Sequence, residues 1–326
     1  MKSDAAPPFQ APPSLAGRDL LRIRDLSADE LVAVLELAAE LKAAQHDGIP
    51  HALCPGRSLG MIFQKASTRT RVSFEVGMTQ LGGHALNLAA SELQLGRGET
   101  IDDTGMVLSR FLDAIMIRTY AQDDVDELAA AASIPVINGL SDDHHPCQAL
   151  ADVLTLRERF GPDLRGARVG YTGDGNNVAR SFVCAGALVG LEMVVASPAG
   201  YELDLPTVRF ASRVAEQHGG SLTLTDEPQA AAEGSQALYT DTFISMGQEL
   251  DAAERLRDLL PFRIDEERAA LLARDGVVLH CLPAHYGQEI DREVLYGYRS
   301  AVWDQAENRL HAQKALLVAL VQPPVR

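Results

Sequence analysis

The chain has 326 residues, long enough for two domains of ordinary size, and 46% of them are hydrophobic, enough to build buried cores. Acidic residues number 45 against 29 basic ones, a formal charge of −16, which argues against a nucleic-acid binder with its usual basic face. The four cysteines, Cys54, Cys147, Cys184 and Cys281, form no Cys-x-x-Cys pair; such sparse use points to reduced thiols in a cytoplasm, not to a disulfide framework.

Residues 1 to 15 carry Pro7, Pro8, Pro12 and Pro13 and no apolar run. They read as a flexible arm, not as a signal peptide. Ser27-Ala28-Asp29-Glu30 is a capping-box pattern, and Leu31, Val34, Leu35, Ala38 and Leu41 behind it form one helical stripe. Short β-rich runs then alternate with helical stretches: Leu59–Phe63, Ala85–Leu88, Ala114–Ile117 and Pro135–Ile137. A second series follows: Val169–Tyr171, Met193–Ala196, Ser221–Leu224, Ala237–Thr240 and Val277–Leu279. A helix over residues 148–158 links the two series, and the segment 306–321 reads as a terminal helix. No run approaches the length of a membrane span.

Continuous apolar strands alternating with helices imply parallel sheets covered on both faces. The fold class is therefore α/β, with two similar domains, each a parallel sheet with helices on both faces. In such sheets ligands bind outside the carboxyl ends of the strands, and there the polar clusters of this chain lie. Ser67-Thr68-Arg69-Thr70-Arg71 stands between the first run and a helix-like stretch from Val72 to Leu81. Hydroxyls, guanidiniums and free N–H groups at a helix start suit a phosphate. Arg118 ends the third run, placed for a second phosphate or carbonyl clamp. His145 and Gln148 follow the fourth and suit hydrogen bonds to a bound carbonyl and amide.

In the second half, Gly173-Asp174-Gly175-Asn176-Asn177 resembles the start of a dinucleotide fingerprint. The third glycine position is Val178, and the next strand ends Ala196-Ser197-Pro198 without a ribose-binding acid, which argues against NAD. Asn177 instead suits a carboxylate. Asp241, ahead of Ser245-Met246-Gly247, suits a substrate ammonium. Cys281, between His280 and Leu282-Pro283 at a strand end, is a further site candidate beside the commoner role of a buried cysteine. His144, His145, Cys147, His280 and Cys281 offer metal-ligand atoms, but in no spacing that sets two ligands on one helix face; no metal is expected.

Together these residues carry a resemblance. Phe63-Gln64-Lys65-Ala66-Ser67-Thr68-Arg69-Thr70-Arg71 resembles the carbamoyl phosphate signature of the transcarbamoylase family. Asp241 with Ser245-Met246-Gly247, His280-Cys281-Leu282-Pro283 and Trp303-Asp304-Gln305-Ala306-Glu307-Asn308-Arg309 are similar to its ornithine branch. The likeness runs from about Leu20 to Leu320. It implies a carbamoyl phosphate-binding domain over 1–146, completed by the helix 306–326, and an ornithine-binding domain over 147–305. It assigns Ser67, Thr68, Arg69, Thr70, Arg118, His145, Gln148 and Arg309 to carbamoyl phosphate. Gln94 would arrive on a loop from a neighbouring subunit. Asn177, Asp241, Ser245, Met246, Cys281 and Leu282 would bind ornithine, and Arg118, His145 and Cys281 would stand at the reacting atoms. It further implies a homotrimer or a multiple of trimers with shared active sites, a place in arginine metabolism, and neither metal nor organic cofactor. Two positions depart from the family's frequent residues: Phe243 in place of tryptophan, and Tyr286 in place of arginine.

The expected reaction is attack of the neutral δ-amine of ornithine on the carbamoyl carbon, giving citrulline and phosphate. Two other readings stand beside it. One is the same chemistry on another amine, which Ser245-Met246-Gly247 disfavours. The other is a non-catalytic protein that binds a phosphorylated ligand, which the retention of every motif residue disfavours.

Overall fold

Ser27 starts the first long helix as its pattern demands. In the computed structural model, which describes residues 9–89, 98–245 and 247–321, its hydroxyl accepts the Glu30 N–H at 3.2 Å while the Glu30 carboxylate accepts the Ser27 N–H at 3.0 Å. The helix, α1 (Ala28–His46), buries Leu31, Val34, Leu35, Ala38 and Leu41 completely or nearly so. Each fully buried leucine contributes about 1.5–3 kcal/mol relative to exposure. The arm before it is not wholly loose: Pro13–Leu15 form a 3-10 turn with Leu15 buried, and Phe9 sets its ring edge-on to His51. Prolines preset the turn's φ, and the leucine behind them has a core to enter; the expected flexible arm is corrected to that extent.

The chain divides into two compact units, Met1–Leu150 with Arg309–Arg326, and Ala151–Asn308. The first holds β1 (Ser58–Phe63), α2 (Thr68–Gln80), β2 (His84–Ala89), α3 (Ile101–Leu108), β3 (Ala114–Arg118), α4 (Gln122–Ala131) and β4 (Val136–Leu140). All pairings are parallel, in the order β2-β1-β3-β4. Ile62, Ile115, Ile117 and Val136 of the sheet form a core cluster with Val125 and Leu128 of α4. The order reverses between β1 and β3, where Phe63 pairs with Arg118. The crevice of a parallel sheet opens at such a reversal, beyond the carboxyl ends.

The chain leaves the first unit within α5 (Pro146–Phe160). The second unit holds β5 (Arg168–Thr172), α6 (Asn177–Leu188), β6 (Glu192–Ala196), α7 (Leu205–Gln217), β7 (Ser221–Thr225), α8 (Pro228–Ala232), β8 (Ala237–Thr240), α9 (Ala252–Leu259), α10 (Glu266–Ala270), β9 (Val277–His280) and α11 (Arg292–Leu295). Its sheet is also parallel, in the order β7-β6-β5-β8-β9. The reversal falls between β5 and β8, so the loops after Thr172 and Thr240 flank the second crevice. The chain returns within α12 (Val302–Val321), which begins earlier than the expected residue 306. Gln305 and Asn308 explain the extra turn: they bond Asp152 and Thr155 of α5 at 2.7 and 3.0 Å and extend the helix over a polar seam.

All nine expected strands form, most of them a residue or two longer than the apolar runs. β7 is the least buried of its sheet, as an edge strand facing solvent should be. Phe243 is fully buried in the second core with Leu238, Val278 and Phe262. Tyr286 is exposed, with its hydroxyl 3.3 Å from that of Tyr296.

Candidate active site

The polar turn after β1 is part of a helix. α2 begins at Thr68, four residues before the expected Val72, because Ser67 caps it: the Ser67 hydroxyl accepts the Thr70 N–H at 3.2 Å. Thr68, Arg69 and Thr70 therefore form the first turn, where N–H groups and the positive end of the helix dipole favour an anion. No acidic residue stands in that turn. Arg71 points to Glu75, one turn along and 3.5 Å away, and is a surface ion pair.

The first unit gathers the other expected residues around this helix start. Arg309, on α12, spreads its guanidinium across two partners: Nη1 donates to Gln148 Oε1 at 2.7 Å and Nη2 to Thr70 Oγ1 at 3.1 Å. All three are buried. His145, just before α5, is buried as well, and its imidazole is held well below the usual histidine range. Burial is the largest cause; the cations Arg309, Arg118, Arg69 and Lys65 add to it. The ring is neutral at physiological pH, so it suits a hydrogen bond to a carbonyl and adds no charge. Arg118 closes β3, 7% exposed, and its carbonyl accepts the Gln64 N–H at 2.9 Å.

Lys65 is a further candidate that sequence reasoning passed over. It is 4% exposed, 2.9 Å from Asp142, and lies over the Tyr120 ring at 4.7 Å. The signal lay within the motif: a lysine between Gln64 and Ala66, just past a buried strand. Four cations whose charges all bear on one neutral histidine are surroundings that suit a strongly charged anion. Gln94 lies outside the described residues.

The second unit builds a different cluster. Asp241 follows β8 and is 6% exposed. Its Oδ1 accepts a hydrogen bond from the Cys281 thiol at 2.8 Å, and its Oδ2 accepts one from Asn176 Nδ2 at 2.8 Å. Asn176 went unassigned in the sequence because its stretch looked like a failed dinucleotide loop. Its oxygen also caps α6, accepting the Val178 and Ala179 N–H groups at 3.0 and 3.1 Å. One amide thus starts a helix and orients the carboxylate. Asn177 is the first residue of α6, and its oxygen accepts the Val178 N–H at 3.0 Å; a carboxylate would have to meet its Nδ2.

The glycines of this loop serve packing. A Cβ on Gly175 would lie 2.6 Å from Glu202 C and Leu203 N, and Gly173 takes φ +120° beside the Phe243 ring. Arg255 ties this loop to the one after β8: Nε donates to the Phe243 carbonyl at 2.9 Å, and Nη2 pairs with Asp174. Burial raises the Asp174 carboxyl despite Arg255 beside it. Ser245 donates its N–H to Gln248 Oε1 at 3.0 Å. Met246 lies outside the described residues. Leu282 follows Cys281 in the left-handed region at φ +59°.

The cysteines divide by role. Burial pushes the Cys54 thiol up to about 11 and the Cys147 thiol up to about 12. Cys147 Sγ donates to the Asn138 carbonyl at 3.5 Å, so both are packed thiols, neither ligands nor nucleophiles. Cys281 alone among the four is not buried.

Comparison with known proteins adds to this geometry. The family model described as "Aspartate/ornithine carbamoyltransferase, carbamoyl-P binding domain" matches residues 18–158, and the one described as "Aspartate/ornithine carbamoyltransferase, Asp/Orn binding domain" matches residues 165–320. A relative from Pyrococcus furiosus, named "Ornithine carbamoyltransferase, anabolic", is 52% identical over 308 residues, covering 94% of this chain and 98% of its own. The ornithine carbamoyltransferase of Halalkalibacterium halodurans is 51% identical, covering 94% and 96%. The solved structure of the Pyrococcus furiosus enzyme has a TM-score of 0.91 at 51% identity, covering 94% of this chain and 98% of that one. The anabolic ornithine carbamoyltransferase of Campylobacter jejuni has a TM-score of 0.86 at 35% identity, covering 92% and 97%.

Proposed function

The chain belongs to the aspartate/ornithine carbamoyltransferase family, and on that footing we propose that it moves the carbamoyl group of carbamoyl phosphate to the δ-amine of L-ornithine, giving L-citrulline and phosphate. The observation that carries the donor half is the Arg309 bridge between Thr70 and Gln148 beside a histidine kept neutral by burial and four cations. A dianion with an adjoining carbonyl fits that chemistry. The names of the relatives support ornithine as the acceptor, and the anabolic naming of one of them supports a place in arginine biosynthesis.

In the proposed mechanism Ser67, Thr68, Arg69, Thr70 and Arg309 hold the phosphate, with the α2 N–H groups. Arg118, His145 and Thr70 stabilise the carbonyl oxygen as negative charge develops there, the step at which fixed donors are worth most. Gln148 orients the carbamoyl amide. Gln94 completes the set from a neighbouring subunit. Asn177 and Asp241 take the α-carboxylate and α-ammonium of ornithine; Ser245, Met246, Cys281 and Leu282 line its side chain. An alkyl ammonium has a reference pKa near 10.4, so the site must favour its deprotonated form. The amine lone pair forms the C–N bond, the tetrahedral intermediate collapses, and the C–O bond breaks toward phosphate. The nitrogen loses one proton, which the departing phosphate takes up. The residues up to Leu150 with those from Arg309 form the proposed carbamoyl phosphate domain, and Ala151–Asn308 the proposed ornithine domain.

A homotrimer is the proposed assembly. Val72 and Val76 on α2, Leu86 on the edge strand β2, and Met106, Val107 and Phe111 at the end of α3 are exposed apolar side chains of the first unit, Phe111 at 73%. An exposed apolar group beside a free sheet edge is the kind of surface that a second subunit covers. A cytoplasmic location is proposed from the four cysteines, none of which joins a disulfide among the described residues. Among the described residues no helix is long and apolar enough to cross a membrane.

The test is to incubate the pure protein with carbamoyl phosphate and a panel of amines, including ornithine, putrescine and aspartate, and to measure ureido product. Ornithine-selective product is expected. Turnover of another amine in preference, or binding without turnover, overturns the assignment.

A further inference from the structure

His280 ends β9 with its side chain fully buried, and the mechanism above gives it no task. The Leu282 N–H donates to His280 Nδ1 at 2.8 Å. Nδ1 therefore presents a lone pair, and the neutral ring carries its proton on Nε2. Nε2 faces Glu289 Oε1 at 3.3 Å. The same Oε1 accepts the His285 N–H, and the Glu289 side chain is also fully buried. One carboxylate oxygen thus ties both ends of the segment 280–285. The β9 end is anchored from behind, since the His280 N–H donates to Gln305 Oε1 at 2.8 Å and Gln305 Nε2 donates to Asp152 at 2.7 Å.

The bond from the Leu282 N–H bears on backbone conformation. Leu282 sits at φ +59°, a conformation that is strained for a non-glycine residue and persists only where surroundings over-determine it. The His280 ring supplies that determination from inside the segment. Cys281 lies between the ring's own backbone and the amide that the ring holds, so its side-chain direction is set with them. That direction brings Sγ to 2.8 Å from Asp241 Oδ1. A buried carboxylate and imidazole are costly as mere packing; an apolar pair would fill the same space.

We propose that His280 and Glu289 are positioning residues of the acceptor half-site: Glu289 fixes the His280 tautomer, and His280 holds the Leu282 amide so that Cys281 and Leu282 are presented to the ornithine side chain. The proposal rests on the ornithine reading above. Neither residue touches substrate in it; both act through the Cys281-Leu282 turn.

Substitutions that mimic one ring nitrogen at a time test it. In His280→Asn the new side-chain oxygen falls near the Nδ1 position and keeps the acceptor for Leu282. His280→Gln places its polar end near Nε2 and leaves the Leu282 amide without that acceptor. His280→Gln is expected to raise the ornithine KM about tenfold or more, the scale of one hydrogen bond to a fixed donor. Its carbamoyl phosphate KM should stay within about twofold, and His280→Asn should stay within about threefold of wild type for both substrates. Glu289→Gln, which retains an acceptor, is expected to resemble His280→Asn, and Glu289→Met to resemble His280→Gln. Wild-type turnover of ornithine tests the activity by itself, so the variants report on the positioning alone. Equal ornithine KM values for His280→Asn and His280→Gln overturn the proposal. So does an equal loss for both substrates that follows the folded fraction of each variant.

Discussion

The Cys281 thiol donates its proton to Asp241 at 2.8 Å, and Asn176 holds the other oxygen of the same carboxylate. A thiol committed in this way is not presented as a thiolate, the form that attacks carbonyls. In the proposed mechanism Cys281 therefore positions an amine and does not carry the carbamoyl group. Cys281→Ser, which keeps a hydroxyl donor for Asp241, is expected to retain turnover at roughly one-tenth to one-hundredth of wild type, the range for weakening one oriented contact. Mass spectrometry of wild-type protein with carbamoyl phosphate alone should show no covalent adduct at this residue. An adduct, or complete loss of turnover in the serine variant, would speak for a nucleophile.

Asp241→Asn keeps the shape and removes the charge. The two present donors, Cys281 and Asn176, both need an acceptor, and an amide offers only one oxygen, so one of them loses its partner. A substrate ammonium loses its counter-charge as well. The ornithine KM is expected to rise about 100-fold, since hydrogen bonds to charged groups are worth about 1.5–3 kcal/mol. Carbamoyl phosphate binding, measured by calorimetry, should change little, because Asp241 belongs to the other unit from Arg309 and Thr70. Unchanged ornithine kinetics would remove Asp241 from the acceptor half.

Arg309→Lys tests the donor half. A planar guanidinium reaches Gln148 with one nitrogen and Thr70 with another, and an ammonium is a single point that cannot do both. The lysine variant is therefore expected to lose about 100-fold in kcat/KM for carbamoyl phosphate, the scale of removing one oxyanion-type donor. Steady-state kinetics with ornithine saturating would measure it. A lysine variant within about threefold of wild type would mean that charge alone suffices and that the bridge is incidental.

How much of this was legible in the chain depends on distance along it. Ser67 to Thr70 could be read because cap, cations and helix start are contiguous, and local rules connect them. The strands could be read because most are apolar runs buried on both faces. Gln148 and Arg309 lie far apart in sequence, and no local pattern says that they meet; the resemblance supplied Arg309, and the fold supplied the bond. Asn176 was hidden by a misleading likeness. Its glycine neighbours looked like a phosphate loop, yet Gly175 is needed because the backbone of Glu202 and Leu203 passes too close for any Cβ. Glu289 carries no motif of its own, and only its burial beside His280 gives it meaning.

That close approach makes Gly175 a stability probe. Gly175→Ala puts a methyl 2.6 Å from backbone atoms that no rotamer can move away. The loop before α6 must shift, at a cost of about 1–3 kcal/mol, as for overpacking elsewhere. Because Asn176 is the next residue, the shift should also disturb its bond to Asp241 and raise the ornithine KM before it affects carbamoyl phosphate. Chemical denaturation together with the two KM values would check both halves; an alanine variant as stable as wild type would contradict the packing argument.

Lys314 offers a test of stability against pH. It is fully buried on α12, with Nζ 2.8 Å from Gln45 Oε1 and 3.1 Å from His51 Nε2. His51 Nδ1 faces the Ile49 carbonyl at 2.9 Å, so it carries the ring proton, and Nε2 accepts from the lysine. Burial lowers the lysine from 10.5 to about 8. The unfolded chain then binds the extra proton between those two values and the folded one does not, so stability from this group rises as pH climbs from 8 toward 10.5. Below 8 both states are protonated and the charge weighs constantly against folding. Other groups oppose the trend, since the raised Cys54 and Cys147 thiols keep their protons in the folded state and lose stability as pH rises past the ordinary thiol range. A comparison with Lys314→Met cancels those shared terms. The wild type should gain on the methionine variant across pH 8 to 10.5 and hold a constant difference from about pH 6 to 7.5. Melting temperatures of both proteins in matched buffers would read it; a difference flat across the alkaline range would mean that Lys314 keeps an ordinary affinity for its proton despite its burial.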